Sequence, residues 1–463
     1  MRSLVVVFLL PVATLSTAAD AAKPPNIVLI FIDDLGYGDI GPFGNKQVRT
    51  PNLDTFATEG MKFTSFYATP VCSMSRACLM TGCYNTRVSV PGVLFPGTSN
   101  GLHPDEITLA DLCKEKNYAT ICIGKWHLGH REPFLPTKQG FDSYFGIPYS
   151  NDMSIDPVNA KFAKDCVFRE GMTELKAREK GINHTVPLMR NLEVVEYPAD
   201  QSTLTRRYTE EAVSFIKAHQ DGPFFVYLPH TMVHAPLAAS PDFKGKSNAG
   251  LLGDAIEEVD WSVGQIMKTL KDLKIDDNTL VIFTSDNGAA AGSSAPWRGK
   301  KGSTFEGGVR EPCMMRWPGK IAAGSTCNHI AGNIDVLPTF ASLIGSKPPT
   351  DRIIDGRDIS PLMFDAKAGP VRDTHLHING GGKLAAIRQG DWKLFLLSPN
   401  AGKKEKELEP GLYNLKDDPA ETTDVSAKYP EVVKKLREDA ATREAEIAKN
   451  KRPGGRIEGG KKK

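Results

Sequence analysis

The sequence predicts an α/β protein: a doubly wound, mostly parallel sheet followed by a smaller antiparallel α+β unit. Three observations carry this. Four apolar runs of strand length each end in a polar cluster, amphipathic helical patterns lie between them, and near residue 370 the pattern changes to short strands with Gly-containing connections.

The four runs come in chain order. Asn26 to Ile32 leads into Asp33-Asp34, and Tyr118 to Ile123 into Lys125 and His127. Phe224 to Leu228 leads into His230 and His234, and Thr279 to Phe283 into Asp286-Asn287. Continuous apolar runs of this length suit strands buried on both faces. Ile107 to Lys116, Tyr208 to Ala218 and Ile256 to Leu273 carry the helical pattern. Sheets of this kind bind ligands beyond the carboxyl ends of their strands, and all four polar clusters fall there. Residues 146–200 are polar and weakly periodic, which predicts long loops around a pocket mouth. His375 to Asn379, Leu384 to Arg388 and Asp391 to Leu397 read as strands, and Glu431 to Lys449 as a charged helix. The domains expected are therefore residues 23–369 for the main α/β unit and 370–449 for the small unit. Residues 450–463, rich in Gly and Lys, are expected to form a disordered tail.

Residues 1–22 have the composition of a signal peptide. Arg2 opens it, Leu4 to Leu10 is apolar, and Thr17, Ala18, Ala19 and Ala21 are small. The apolar run is shorter than the ~20 residues a membrane span needs, and no later segment is longer. An exported protein, periplasmic, secreted or lysosomal, with no stable membrane insertion is expected. The chain has 463 residues, 40% of them hydrophobic, and a formal charge of +2. That is ample for a large core, and the charge does not call for a nucleic-acid partner. Eight cysteines in an exported chain of this size are not a dense disulfide framework.

Asp33, Asp34, Asp286 and Asn287 are hard oxygen donors at the ends of two buried strands. Carboxylates brought that close repel unless a cation lies among them, and calcium and magnesium take such ligands. Cys72 has Ser73, Ser75 and Arg76 as neighbours rather than core residues. A helix opening at Ser75 would put Cys72 near its amino end, a position suited to an anion or a nucleophile. Lys125, His127, His234, Lys301 and Arg76 can together form a cationic collar for a tetrahedral oxyanion. Singly, each would be an ordinary surface lysine or core histidine.

At these residues the sequence resembles the type I sulfatases of the alkaline phosphatase superfamily, in particular the arylsulfatase A and N-acetylgalactosamine-6-sulfatase branch. The likeness spans roughly residues 25–435. The family signature C-x-P-S-R followed by T-G stands here as Cys72-Ser73-Met74-Ser75-Arg76 and Thr81-Gly82. Further matching blocks are Asp33 to Asp39, Gly124 to Gly129, His234-Ala235-Pro236, Ser285 to Gly288 and Lys301 to Gly308.

The resemblance implies an alkaline-phosphatase-like fold and hydrolysis of a sulfate ester, on a sulfated carbohydrate, to alcohol and inorganic sulfate. It implies one calcium ion held by Asp33, Asp34, Asp286, Asn287 and an oxygen of modified Cys72. The modification converts Cys72 to formylglycine (3-oxoalanine), and the formylglycine-generating enzyme becomes a partner during maturation. Arg76 would stabilise the aldehyde hydrate and His127 would orient it. Lys125 and Lys301 would bind sulfate oxygens, His234 would act as general acid, and Asp286 would accept the proton of the attacking hydroxyl. His230 competes with His234 and Lys300 with Lys301, and the family spacing selects the second of each pair. The chain departs from the pattern at Met74, where Pro or Ala is usual, and at Cys83, where Arg commonly follows Thr-Gly. Two alternatives stay open: a phosphoester or phosphonate hydrolase on the same fold, or an unmatured binder of sulfated glycans. Substrate contacts are expected from residues 92–103, 146–200, Trp297-Arg298 and the small unit, with His375 and His377 as its candidates.

Overall fold

A computed structural model describes residues 23–154, 160–179, 185–365, 367–399 and 411–457. The strands expected from the apolar runs form the middle of a twelve-stranded sheet. They are β1 (Asn26–Ile32), β2 (Ala119–Lys125), β3 (Phe224–Pro229) and β4 (Thr279–Ser285), joined by β5 (Arg310–Arg316). Across the sheet the order is β5-β4-β1-β3-β2. The last four are parallel, and β5 runs antiparallel to β4.

Each central strand packs on both faces, which is why no polar alternation interrupts it. Along β1, Ile27, Leu29 and Phe31 enter one core, and Val28, Ile30 and Ile32 enter the other. The second core is closed by the helices Leu204–Ala218 and Gly250–Asp272. The first is closed in part by Val336–Leu343 and by α1 (Cys72–Thr81). At the nominal transfer value, one fully buried Ile or Leu contributes about 1.5–3 kcal/mol. A polar residue in any of these runs would therefore have been costly.

Residues 146–200, expected to be loops, are partly strand. Ser143–Ile147, Leu188–Arg190, Glu193–Tyr197 and Phe162–Phe168 continue the main sheet to its edge. Phe162–Phe168 is an edge strand with exposed positions along it, so it lacks the apolar run of a central strand. On the other side of the sheet Met61–Tyr67 pairs with β5; its first residues alternate between buried and half-buried.

The carboxyl-terminal part carries a four-stranded antiparallel sheet: β6 (Thr374–Ile378), β7 (Leu384–Gln389), β8 (Trp392–Phe395) and β9 (Leu412–Asn414). Helix α2 (Pro430–Lys449) lays Leu436, Ala440 and Ile447 on it, in one apolar cluster with Leu376, Ile387 and Leu394. Met74 belongs to the same cluster. Disorder was expected from Asn450 onward; residues 450–457 instead run back along the main unit. Gly455–Arg456 pairs with Asn100–Gly101. Arg452 forms hydrogen bonds to Glu106 at 2.7 and 2.9 Å and lies 3.3 Å from the Cys83 sulfur. These specific partners overcome the low apolar content. The expected signal peptide and residues 458–463 lie outside the described residues. Among the described residues no helix is long and apolar enough to cross a membrane.

Candidate active site

The parallel register brings the polar clusters together. Ile32 of β1 lies opposite Ser285 of β4, and the Asp286 N–H donates to the Ile32 carbonyl at 3.0 Å. Asp33 and Asp286 therefore leave adjacent strands side by side. The Asp34 N–H donates to Asp286 Oδ1 at 3.1 Å, and Asn287 Nδ2 donates to Asp34 Oδ1 at 2.7 Å. Asp34 takes up a left-handed backbone conformation, φ 62°, uncommon for a residue other than glycine.

Helix α1 starts at Cys72 itself, three residues before the expected start, which places Cys72 in its first turn. One ligand atom each from Asp33, Cys72 and Asp286 lies within 4.8 Å of the other two, and all three residues are buried. Burial is the main influence on the Cys72 thiol and pushes it up from its ordinary value, against the opposing pull of Lys125 and Lys301. As a plain thiol it is held protonated, so position at a helix start does not make it a thiolate.

Asp33, Asp286 and Asp34 each have one cation within hydrogen-bond distance, and Arg76 also lies 3.7 Å from Asp33 Oδ1. Lys125 Nζ is 2.5 Å from Asp33 Oδ2, Arg76 Nη2 is 2.7 Å from Asp286 Oδ2, and Lys301 Nζ is 2.7 Å from Asp34 Oδ1. Arg76 also donates to the Lys125 carbonyl at 2.6 Å and lies over the Phe31 ring at 5.4 Å. Burial drives the Asp33 and Asp286 carboxyls upward. Lys125, His234 and Arg76 more than offset it at Asp33, which sits below the usual range. At Asp286 the nearby Asp33 adds to burial, and the carboxyl stays above its ordinary value despite Arg76 and Lys125. Burial would lower Lys301, yet Asp34 and its neighbours hold the ammonium above its ordinary value.

The donor set fits a hard divalent cation. Among the described residues, Asp33 Oδ1 and Asn287 Oδ1 are buried without a hydrogen-bond partner. An unpaired buried oxygen is costly, and carboxylate and amide oxygens are the ligands calcium prefers.

The histidines separate clearly. His127, also left-handed at φ 60°, places Nε2 2.9 Å from the Leu94 carbonyl. A carbonyl only accepts, so Nε2 carries the proton and Nδ1, buried and without a partner among the described residues, presents a lone pair. Burial, with Lys125 and Arg76, holds this ring well below the usual histidine range and hence neutral. His234 donates from Nδ1 to the Ala235 carbonyl and points Nε2 toward Asp34 Oδ2 at 3.7 Å and Ser150 Oγ at 3.5 Å. His230 turns away, its Nε2 3.1 Å from Ser262 Oγ, and burial pulls it down to about 3. Lys300 likewise points elsewhere, to the Gly292 carbonyl at 2.8 Å.

Four residues important to this geometry had not been singled out. Ser150 meets both Lys125 Nζ, at 3.2 Å, and His234. Asn151 donates to the carbonyls of His234 and Pro236 at 3.3 and 3.2 Å. A signal existed for both, because they directly follow the strand Ser143–Ile147 at the same sheet edge. Leu94 acts through its main chain, taking the Ser73 hydroxyl as acceptor for its N–H at 3.1 Å. Glu311 is fully buried in β5, and burial, Asp286 and Asp34 push its carboxyl well above its ordinary value.

Some expected substrate contacts are structural instead. His375 and His377 are buried against the Tyr67 ring. The Trp297 ring packs against Tyr37 and under the Arg310 guanidinium, and Arg298 reaches the Glu421 carbonyl at 2.7 Å. A 940 Å³ groove under the outer strands, bordered by Phe145, Arg190, Arg207 and Glu211, shares no lining residue with the Cys72 cluster.

Comparison with known proteins gives consistent results. A family profile described as Sulfatase matches residues 25–346, and one described as N-sulphoglucosamine sulphohydrolase, C-terminal, matches residues 297–446. The chain is 41% identical over 403 residues to the N-acetylgalactosamine-6-sulfatase of Canis lupus familiaris, covering 81% of this chain and 72% of that protein. It is 37% identical over 472 residues to the steryl-sulfatase of Homo sapiens, covering 86% and 81%. Among solved structures, that of Ps i-CgsB in complex with k-i-k-neocarrahexaose superposes with a TM-score of 0.77 at 31% identity, covering 91% of this chain and 92% of that one.

Proposed function

The chain belongs to the sulfatase family and is a sulfuric ester hydrolase; on that premise we propose that residue 72, matured to formylglycine beside a calcium ion, hydrolyses the sulfate ester of a sulfated carbohydrate. The observation that carries this is the buried cluster in which Asp33, Asp34 and Asp286 each meet one cation beside Cys72. A protonated thiol there is a poor nucleophile, which supports a modified side chain at that position. The carbohydrate preference is supported by the printed names of the galactosamine-sulfatase relative and of the carrageenan-type oligosaccharide complex.

Residue 72, once matured, would supply a geminal diol: one hydroxyl to attack sulfur, and a second whose proton would pass to the His127 Nδ1 lone pair as the bond from carbon to the sulfate oxygen breaks and the aldehyde reforms. A calcium ion would be held by Asp33, Asp34, Asp286 and Asn287 and would supply Lewis-acid charge when bound. The chain's own groups do the rest. Asp286, beside residue 72 in the same buried cluster, takes the proton of the attacking hydroxyl. The His127 Nδ1 lone pair accepts a hydrogen bond from the diol and fixes its rotation. Lys125 and Lys301 grip the sulfate oxygens, where positive charge is worth most against the charge that develops in transfer. Arg76 holds Asp286 and the end of β2 in place. His234 delivers a proton from Nε2 to the leaving oxygen; its Nδ1–H, committed to Ala235, fixes the ring.

Turnover of matched aryl sulfate and aryl phosphate substrates tests the reaction, and a clear preference for phosphate would overturn it. Mass spectrometry of the tryptic peptide containing residue 72 tests the nucleophile: protein from its native host should carry the aldehyde, and a wholly unmodified thiol would refute it. Export through residues 1–22 belongs to the same proposal, and amino-terminal sequencing of the mature protein checks it.

A further inference from the structure

We propose that Lys393, on the small carboxyl-terminal sheet, is a positioning residue for Lys301, so that the small sheet forms part of the device that grips sulfate. The inference rests on the role given to Lys301 above.

Lys393 lies on β8 with its side chain fully buried. Its ammonium is 2.7 Å from the Thr304 carbonyl, 2.8 Å from Glu306 Oε1 and 2.8 Å from Glu421 Oε1. An ammonium has three N–H groups, and here three oxygens surround it. Glu421 in turn accepts the Glu306 N–H on Oε2 at 2.7 Å, and the Pro399 carbonyl accepts the Thr304 N–H at 2.8 Å. Three main-chain groups of the segment after Lys301, the Thr304 N–H and carbonyl and the Glu306 N–H, are thus held by residues of the carboxyl-terminal part.

The same segment is tied on its other side to the catalytic sheet edge. The Lys301 N–H donates to the Ala289 carbonyl at 3.1 Å, and the Gly302 N–H donates to the Pro70 carbonyl at 2.8 Å, two residues before Cys72. Gly288, next to Asn287, approaches so closely that a β-carbon there would meet the Gly307 carbonyl oxygen at 1.9 Å. Lys301 therefore sits on a short strap pinned at both margins. One margin is the metal-ligand turn and the nucleophile segment. The other is Lys393 with its two glutamates. Glu306 also receives the Tyr67 hydroxyl at 2.6 Å and Arg310 at 3.0 Å, and its cations hold its carboxyl well below the usual range against burial.

Removing the Lys393 charge frees the Thr304 carbonyl and takes from Glu306 and Glu421 the donor they share; Glu421, pushed up to about 7 by burial, then takes up a proton rather than stay charged. The strap then shifts, and the Lys301 ammonium moves with it. Displacements of about 1 Å remote from the chemistry can cost up to ~100-fold in rate.

The test is calorimetric binding of inorganic sulfate to the full-length calcium-loaded protein, read beside the melting temperature. Lys393→Met should weaken sulfate about tenfold, the scale of a displaced rather than a deleted contact. Glu421→Gln keeps an acceptor for the Glu306 N–H and should weaken sulfate in the same direction, which covers the case in which Lys393→Met does not fold. Leu436→Ala, in the apolar cluster under α2, is the structural control: it should lower the melting temperature and leave sulfate affinity within about twofold, since ordinary core loss acts on stability. Unchanged sulfate affinity in both charge variants, or an equal loss in Leu436→Ala, overturns the inference. Failure of the wild-type protein to bind sulfate would instead sink the reading of the site itself.

Discussion

Replacing Arg76 by Met removes a cation that has no access to solvent. The guanidinium donates to Asp286 at 2.7 Å and to the Lys125 carbonyl at 2.6 Å, and its side chain is fully buried. Met has a similar length, so the cavity term is small. What is lost is one hydrogen bond to a charged group, about 1.5–3 kcal/mol, and one to a neutral carbonyl, about 0.5–1.5 kcal/mol. Their sum, about 2–4.5 kcal/mol, agrees with the ~3–5 kcal/mol typical of breaking a buried pair by removing one partner. The loss should show in urea unfolding with a chelator present.

Two refinements follow from the neighbours. The orphaned Asp286 can shed its charge by protonation. Its folded-state value, already raised, rises further, so the deficit relative to wild type should shrink as pH falls through the carboxylate range. Calcium on the proposed ligand set would also neutralise Asp286, so its addition should stabilise the variant more than the wild type; at 100 times the dissociation constant the wild-type gain would be ~2.7 kcal/mol. A variant within about 0.5 kcal/mol of wild type in chelator, the range of an ordinary surface change, would refute this account of Arg76.

Three further outcomes are expected. His234→Ala should slow esters with poor leaving groups much more than activated aryl sulfates, and equal losses on both would remove it as general acid. Asp33→Ala should purify with far less than stoichiometric calcium by elemental analysis, and full occupancy would take Asp33 off the ligand set. His230 is buried neutral with its value lowered to about 3. Between about 6.5 and that value the unfolded chain takes up a proton that the folded chain refuses, so stability falls with falling pH by up to about 1.4 kcal/mol per unit from this group. His230→Asn should flatten that part of the urea midpoint profile, and an unchanged slope would show that the ring is not what acid attacks.

The central strands and their polar ends were legible in the sequence because burial on both faces leaves an uninterrupted apolar run, and the chain must turn polar where the sheet stops. Asp33, Lys125 and Asp286 are visible for that reason. The strands outside that centre were not. Phe162–Phe168 has exposed positions, and β5 contains Pro312 and the buried carboxyl of Glu311. Leu94 could not be found from residue type, since its contribution is a carbonyl and an amide that every residue has. His375 and His377 misled for the opposite reason: histidine suggests chemistry, but aromatic packing against Tyr67 explains both. The order of residues 450–457 depends on partners far away in the chain, Glu106 and Asn100–Gly101, which local composition does not encode.

The pairing of three acids with three bases leaves the floor of the site formally uncharged. A sulfate monoester is a monoanion, whereas free sulfate is a dianion. Once a dication is seated, the ester leaves one positive charge unmatched and the product leaves none. The reaction would thus proceed toward better electrostatic balance among largely buried charges, where such differences are poorly screened. Turnover would then be governed by escape of the inorganic product, and the protein would be throttled by the sulfate it makes unless its surroundings carry that ion away.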